Sequence, residues 1–231
     1  MTWLSIVVPT LDEARSIGAC LAALQEMRAA GAQVVVVDGG SGDATRAIAA
    51  ALADRVIDAP RGRASQMNAG ARASVGEVLL FLHADTLLPP DALDALRRGL
   101  AREASEWGRF DVSIAAADPL LALVALGMNA RSRITGIATG DQAIFARRAA
   151  FDAAGGFPCI PLMEDVALSK ALRRRSAPVC LRERVVTSAR RWERHGTLRT
   201  IVLMWRLRLA YALGADPHQL ARRYDVERTP S

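Results

Sequence analysis

Val78-Leu79-Leu80-Phe81-Leu82 is an apolar run without polar alternation, and it ends in His83-Ala84-Asp85. A strand with no polar face reads as buried on both sides, as in a parallel sheet covered by helices. Short β-branched runs occur earlier, at Ser5-Ile6-Val7-Val8, Val34-Val35-Val36-Val37 and Arg55-Val56-Ile57-Asp58. Between them the apolar spacing becomes helical. Ile17, Cys20, Leu21 and Leu24 mark a helix over residues 16–30, ended by Gly31, and further helices are predicted over 44–52 and up to residue 73. This β-α-β-α-β-α-β order over the first 85 residues predicts an α/β fold: a mostly parallel central sheet with right-handed crossovers and flanking helices.

The second half is less regular. Helices are predicted over 91–102, 120–131, 164–175 and 198–213, and strand-like pieces over 108–115, 143–145, 179–181 and 185–186. No repeat, linker or low-complexity tract divides the 231 residues, so residues 1–231 are expected to form a single domain ending in C-terminal helices. The net charge is +6, carried by arginines with Lys170 the only lysine, and acidic residues are interspersed throughout. That pattern argues against a nucleic-acid surface. Cys20, Cys159 and Cys180 form no CxxC pair, which fits a reducing, cytoplasmic setting and no structural zinc. No secretory signal is visible at Met1-Thr2-Trp3-Leu4, and the longest apolar stretch, 112–128, is broken by Asp118-Pro119. A soluble, at most surface-associated protein is expected.

Candidate chemistry collects after the early strands. Asp12 and Glu13, then Asp38, then Asp85 follow strands whose carboxyl ends converge on one crevice in an open parallel sheet. There is no GxGxxG. Asp38-Gly39-Gly40-Ser41-Gly42 is glycine-rich, but its leading carboxylate would repel a pyrophosphate, so Asp38 suits a base N–H, a ribose hydroxyl or the capping of its own turn. His83 and Asp85, two apart on an extended chain, point the same way and could share a metal ion or a phosphate-bearing substrate. Arg63 at a helix entrance could grip a diphosphate together with the helix amides, with Gln66 and Asn68 nearby. Glu164 and Asp165 open a helix, where the dipole favours carboxylates. Arg190-Arg191-Trp192, with Arg194 and His195, could close over a diphosphate or hold an anion, or simply be a solvated basic stretch.

Set in order, Ser5–Glu13, Val37–Thr45 and the strand ending near Asp85 resemble the family 2 glycosyltransferases of GT-A (Rossmann-like) fold, over about the first 90 residues. The resemblance implies a nucleotide-binding half (1–90), an acceptor and catalytic half (91–195) and a C-terminal helical segment (196–231). It implies a UDP-sugar donor, with Pro9, Thr10 and Glu13 lining the uridine pocket and Asp38 and Gly39 at the base. The family's DxD element falls on His83-Ala84-Asp85, so His83 stands where the first Asp usually is. A divalent cation, Mn²⁺ or Mg²⁺, would be held by Asp85, with His83 or His195 as further ligands; imidazole suits Mn²⁺ better than Mg²⁺. Asp165 would be the general base of an inverting transfer, beside Glu164. Asp141 and Gln142 would line the sugar and acceptor side.

Arg61–Ala71 together with Leu80–Thr86 resembles a subgroup associated with selenium metabolism, the selenosugar synthases of selenoneine biosynthesis. That resemblance implies transfer of glucose or N-acetylglucosamine from the UDP-sugar to selenophosphate, forming a C–Se bond and releasing UDP and phosphate. Another branch is named for arsenosugars, so the subgroup leaves the acceptor open. An anionic acceptor beside Asp165 needs cationic offset; Arg109, Arg131 and Arg133 are candidates, with Arg191 and Trp192 from the basic stretch. One alternative is a polyprenyl-phosphate acceptor at a membrane, supported by the mixed Arg and apolar segment 198–213, although packing of that segment against the sheet is the expectation. Another is a non-catalytic nucleotide-sugar binder. A homodimer is compatible with the chain.

Overall fold

In a computed structural model, which describes residues 2–228, the apolar runs become the strands Leu4–Thr10 (β1), Gln33–Asp38 (β2), Arg55–Asp58 (β3) and Val78–Phe81 (β4). The remaining strands are Thr86–Leu87 (β5), Trp107–Ala115 (β6), Phe145–Arg147 (β7) and Val179–Ser188 (β8). They form one sheet in the order β3-β2-β1-β4-β7-β6-β8-β5. β1 pairs in parallel with β2 and β4, and β2 with β3. β7 enters antiparallel between β4 and β6, which restores the direction of β1 in β6 and in its parallel partner β8. Short β5 closes the edge antiparallel to β8. All strands but β7 and β5 therefore run the same way, so the mostly parallel sheet holds as mixed.

Successive residues of the first strands alternate between two packed layers, as the pleat requires. Ile6, Val8, Val34, Val36, Val78 and Leu80 pack on one face and Val7, Val35, Val37, Leu79 and Phe81 on the other. The first layer is covered by Ile17–Ala23 (α1), Gln25–Ala29 (α2), Thr45–Leu52 (α3) and, past Arg63–Ala73 (α4), by Ala92–Gly99 (α5). The second is covered by α4 itself and, beyond Pro119–Thr135 (α6), by Arg148–Ala153 (α7) and Glu164–Arg173 (α8). Arg190–His195 (α9), Thr197–Ala212 (α10) and Pro217–Arg228 (α11) complete the chain.

Three local expectations are corrected. The helix expected over 16–30 is two helices, because the chain tightens at Leu24, whose amide reaches back three residues to the Leu21 carbonyl. The pieces at 179–181 and 185–186 are one strand, β8, with an irregularity opposite Arg109/Asp111 that broke its pattern in the sequence. The third correction bears on the site. β4 stops at Phe81, and the Thr86 amide closes a turn on the His83 carbonyl at 3.0 Å, so His83 and Asp85 do not lie on one extended face.

Gly70 shows how tightly α4 sits on the sheet. A Cβ there would lie 2.3 Å from Val7 Cγ1 and 2.9 Å from Val37 Cγ2. On an exposed helix, Gly→Ala stabilises by about 1 kcal/mol. Here the sign reverses: Gly70→Ala is expected to destabilise by about 1–3 kcal/mol through overpacking, measured by urea unfolding.

Candidate active site

Parallel strands deliver their carboxyl ends to one edge, and β7 and β5 start from that same edge. The loops after β1, β2, β4 and β8, and the turn before β7, are thereby neighbours. The first two are laced together. Asp12, at a left-handed φ of 53°, accepts from the Gly42 amide, its own amide donates to Ser41 Oγ, and the Glu13 amide donates to Thr45 Oγ1 at 2.8 Å.

Asp38 ends β2 almost fully buried and accepts from the Gly40 and Ser41 amides, the Ser41 hydroxyl and Thr10 Oγ1. Burial opposes its ionisation, yet the Ser41 hydroxyl and these amides outweigh that and hold its pKa below the ordinary value. Gln66 donates both amide protons to backbone carbonyls, those of Thr10 (2.7 Å) and Val37 (2.8 Å), and lies against Gly39, where a Cβ would be 3.1 Å away. It therefore ties the ends of β1 and β2. Pro9 and Thr10 close β1 at this tie.

After β4, His83 turns toward the 3₁₀ turn Gly140–Gln142 that leads into β7. Its Nδ1 lies 3.4 Å from Asp141 Oδ1, and its Nε2 abuts Gly140, where a Cβ would stand only 2.5 Å away. Ala84 is buried in the turn. Asp85 goes elsewhere. Its Oδ2 is 3.3 Å from an Arg190 guanidinium nitrogen, which also donates to Glu13 Oε2 at 2.8 Å, so Arg190 bridges the loops after β1 and β4.

Asp165 meets the same turn from below. Its Oδ2 accepts from the Gly140 amide at 2.8 Å and its Oδ1 from the Val166 amide at 2.7 Å, so both oxygens have fixed directions. Glu164 beside it is buried. Desolvation, then the Asp165 charge, push its pKa up to about 7 against the pull of Arg63 and His83. Arg63, at the first residue of α4, keeps solvent contact within this crevice; desolvation works against its charge, but Glu164, Asp141 and Asp165 outweigh it and raise its pKa.

Two cations face Asp165 from further along the chain. Arg131 of α6 donates to the Ile137 carbonyl, while its Nη2 is buried with no hydrogen-bond partner. Burial and then the Arg208 charge lower its pKa to about 10. Arg208 of α10 is likewise lowered by desolvation and partly restored by Asp165, and Tyr211 also lies within reach of that carboxylate. Leu207 and Tyr211 reach this region because α10 packs on Met163 and Val166 at the start of α8. Arg208 and Tyr211 had no place in the sequence-based site; nothing local to 198–213 tells which of its residues meets α8.

Other sequence candidates go elsewhere. Asn68 pairs both ends of its amide with the Phe157 backbone. Gln142 is fully buried and donates to Asn129 and Ser132 of α6. Arg133 binds Asp111 and the Cys180 and Leu181 carbonyls, and Arg109 shares Asp111. These four residues build the frame, because each has found hydrogen-bond or ion partners of its own. Trp192 is half-buried in α9. The side chains of Arg191 and His195 lie outside the described residues.

Among the described residues, no group of three or more His, Cys, Asp or Glu side chains could hold a metal. Both ring nitrogens of His83 face the 3₁₀ turn, and the partly exposed Asp85 carboxylate is a candidate donor at this edge. A single carboxylate suits a cation that arrives with phosphate oxygens, as Mg²⁺ commonly does, and does not make a protein-only cage.

Two measurements probe this geometry. Because folding raises the Glu164 pKa, the stability of the protonated form is fully present below the unfolded value of about 4.3 and is lost as pH rises through about 7. Glu164→Gln is therefore expected to raise Tm relative to wild type at pH 8, with the gain shrinking progressively toward about pH 4, by differential scanning calorimetry. Arg190→Ala removes a partly exposed pair and is expected to cost under about 1 kcal/mol. By freeing Asp85, it should tighten Mn²⁺ binding in the presence of UDP, read by titration calorimetry; unchanged or weaker binding would show that Arg190 does not compete for that carboxylate.

Residues 5–116 match the sequence family described as Glycosyl transferase family 2. A PGL/p-HBAD biosynthesis glycosyltransferase of Mycobacterium tuberculosis is 38% identical over 91 residues, a match that spans 36% of this chain and 36% of the relative. The chain thus spans about a third of that relative's length. The fold is similar to that of S. aureus TarS 1–349 in complex with UDP-GlcNAc, with a TM-score of 0.65 and 19% identity over 80% of this chain and 58% of TarS. It is also similar to the mannosyltransferase PcManGT of Pyrobaculum calidifontis in complex with GDP-Man and Mn²⁺, at TM-score 0.65 and 22% identity, covering 97% of this chain and 68% of that one. Residues 5–116, which include Glu13, Asp38 and Asp85 of this sheet edge, thus match glycosyl transferase family 2, and the fold is of the GT-A type.

Proposed function

We propose that the protein transfers a sugar from a UDP-sugar, UDP-N-acetylglucosamine or UDP-glucose, to a small anionic acceptor, selenophosphate. The observation that carries this reading is Asp165, fixed through both oxygens and faced by Arg63, Arg131 and Arg208 at the ligand-binding edge of the sheet. The UDP-GlcNAc and Mn²⁺ bound by relatives of the same fold support a nucleotide-sugar donor and a divalent ion. The selenium acceptor rests on the resemblance of the Arg61–Ala71 block.

Charge decides the roles. Transfer breaks the bond between the anomeric carbon and the diphosphate, so negative charge grows on the leaving UDP. Arg63 at the α4 entrance stands where its guanidinium and the first-turn amides can take up that charge. A divalent cation on Asp85, when bound, neutralises further diphosphate charge. Selenophosphate is already anionic, so its selenium lone pair can form the C–Se bond without losing a proton, and hydrolysis of the P–Se bond then releases phosphate. Arg131 and Arg208 offset the repulsion between that anion and Asp165. Arg131 Nη2, buried without a partner, is the donor best prepared for it.

The test is mass spectrometry of products from UDP-GlcNAc, UDP-glucose and GDP-mannose, with selenophosphate, thiophosphate, phosphate and simple alcohols competing as acceptors. A product containing selenium but no phosphorus is expected; products with alcohols only would exclude the selenium acceptor while leaving a sugar transferase. Asp165→Asn is expected to lower turnover far less with selenophosphate than the 10²–10⁴-fold or so typical of losing a general base. Near-complete loss with selenophosphate would mean that Asp165 does more than deprotonate.

A further inference from the structure

The packing expected for segment 198–213 against the sheet is corrected: the inner side of α10 packs with Met163 and Val166 at the start of α8 and with Leu220 of α11. One side of α10, with Thr200 and Leu207, is buried, whereas Leu198, Val202, Trp205, Leu209 and Leu213 are 56–80% exposed. At about 100° per residue these five fall within an arc of about 80°, a single stripe running the length of the helix. Arg199 and Arg206 border the stripe on one side, both exposed, and Arg208 borders it on the other. Cations at the margins of an apolar face let the aliphatic stems follow the apolar surface while the charged heads reach out of it. An exposed apolar stripe rimmed by charged residues is the pattern of a binding face.

A cleft of about 240 Å³ opens beside the stripe, between α10 and α11. Leu209, Leu213 and Leu220 supply apolar walls, and Arg206 and Arg223 supply two guanidinium groups. Apolar walls with paired cations match an anionic amphiphile, with acyl carbon against the leucines and a phosphate between the arginines. No described helix is long and apolar enough to cross a membrane, so α10 would lie in the interface.

We propose that α10 docks the protein on an anionic lipid surface, with Trp205 and its neighbouring leucines entering the headgroup layer and Arg206 and Arg223 holding lipid phosphates. This stands on the outer face of α10 and is independent of which acceptor the transferase uses. The opposite margin of the same helix carries Arg208, so a docked α10 would place the Asp165 crevice close to the bilayer.

Co-flotation of the full chain with phosphatidylcholine vesicles, with and without phosphatidylglycerol, tests it. Partitioning is expected to be at least tenfold greater with phosphatidylglycerol and to fall with added salt. Trp205→Asp and Val202→Asp should each abolish flotation, and Arg206→Glu with Arg223→Glu should remove the preference for anionic vesicles. All four side chains are on exposed or cleft positions, and circular dichroism confirms that each variant is folded. Val75→Asp, at an exposed apolar residue before β4, should float like wild type. The proposal is overturned if wild type stays in the buffer with both vesicles, if Trp205→Asp still floats, or if Val75→Asp loses flotation equally. It is also overturned if light scattering shows a wild-type dimer that Trp205→Asp dissociates, because the stripe would then be a contact between two copies of this chain.

Discussion

The close approach at Gly140 holds the candidate site together. This residue donates its amide to Asp165, its neighbour Asp141 faces His83 Nδ1, and its own lack of a Cβ lets the His83 ring in. The end of β4, the turn into β7 and the start of α8 thereby meet at one point, although they are far apart in sequence. The carboxylate of Asp165 is aimed by backbone amides on both oxygens, so its direction is set by the fold and not by a rotamer choice. Preorganisation of this kind lets a carboxylate meet a substrate with little further ordering.

Around that point, charge is managed differently on the two sides. At the end of β2, Asp38 is held in its charged form chiefly by amides and a hydroxyl, with a lesser pull from Arg46. At α8, Glu164 and Asp165 are adjacent, and burial and mutual repulsion drive Glu164 toward its protonated form. Arginines from three separate elements, Arg63, Arg131 and Arg208, converge on this pair. An anion entering there meets three guanidinium groups set against two adjacent carboxyls, of which burial drives Glu164 toward its neutral form.

Much of this was legible in the sequence where the signal was local. The uniformly apolar strands forced a two-faced sheet, and the parallel register then aligned Thr10 with Asp38, so the convergence of those loops followed from strand pattern alone. The Glu164-Asp165 helix start was also visible. What the sequence hid were partners chosen across long separations. Gln66 and Asn68 read as amides near a pocket, yet each had a backbone partner that only the packed layers supply: the ends of β1 and β2 for Gln66, the Phe157 backbone for Asn68. His83 and Asp85 were separated by a turn that begins one residue after the apolar run ends, and no hydropathy pattern marks that step. Arg133 went to Asp111 for the same reason, since an ion partner 22 residues back in the preceding strand leaves no trace in spacing.

α10 carries the longest-range lesson. Its buried line and its exposed apolar stripe are nearly opposite each other, so the helix is apolar on two sides and reads in sequence as an ordinary core helix. Only the packing of Leu207 onto Met163 and Val166 decides which side faces the protein. That choice puts Arg208 at the boundary, where it faces Asp165 from one side and the stripe from the other. A helix so placed couples the two surfaces: a rotation of one residue, about 100°, would withdraw Arg208 from the carboxylate and bury part of the stripe. The contacts that hold its angle, Leu207 against Met163 and the Lys170 ammonium over the Tyr211 ring at 4.9 Å, therefore govern both the charge at the candidate site and the face offered to the surroundings.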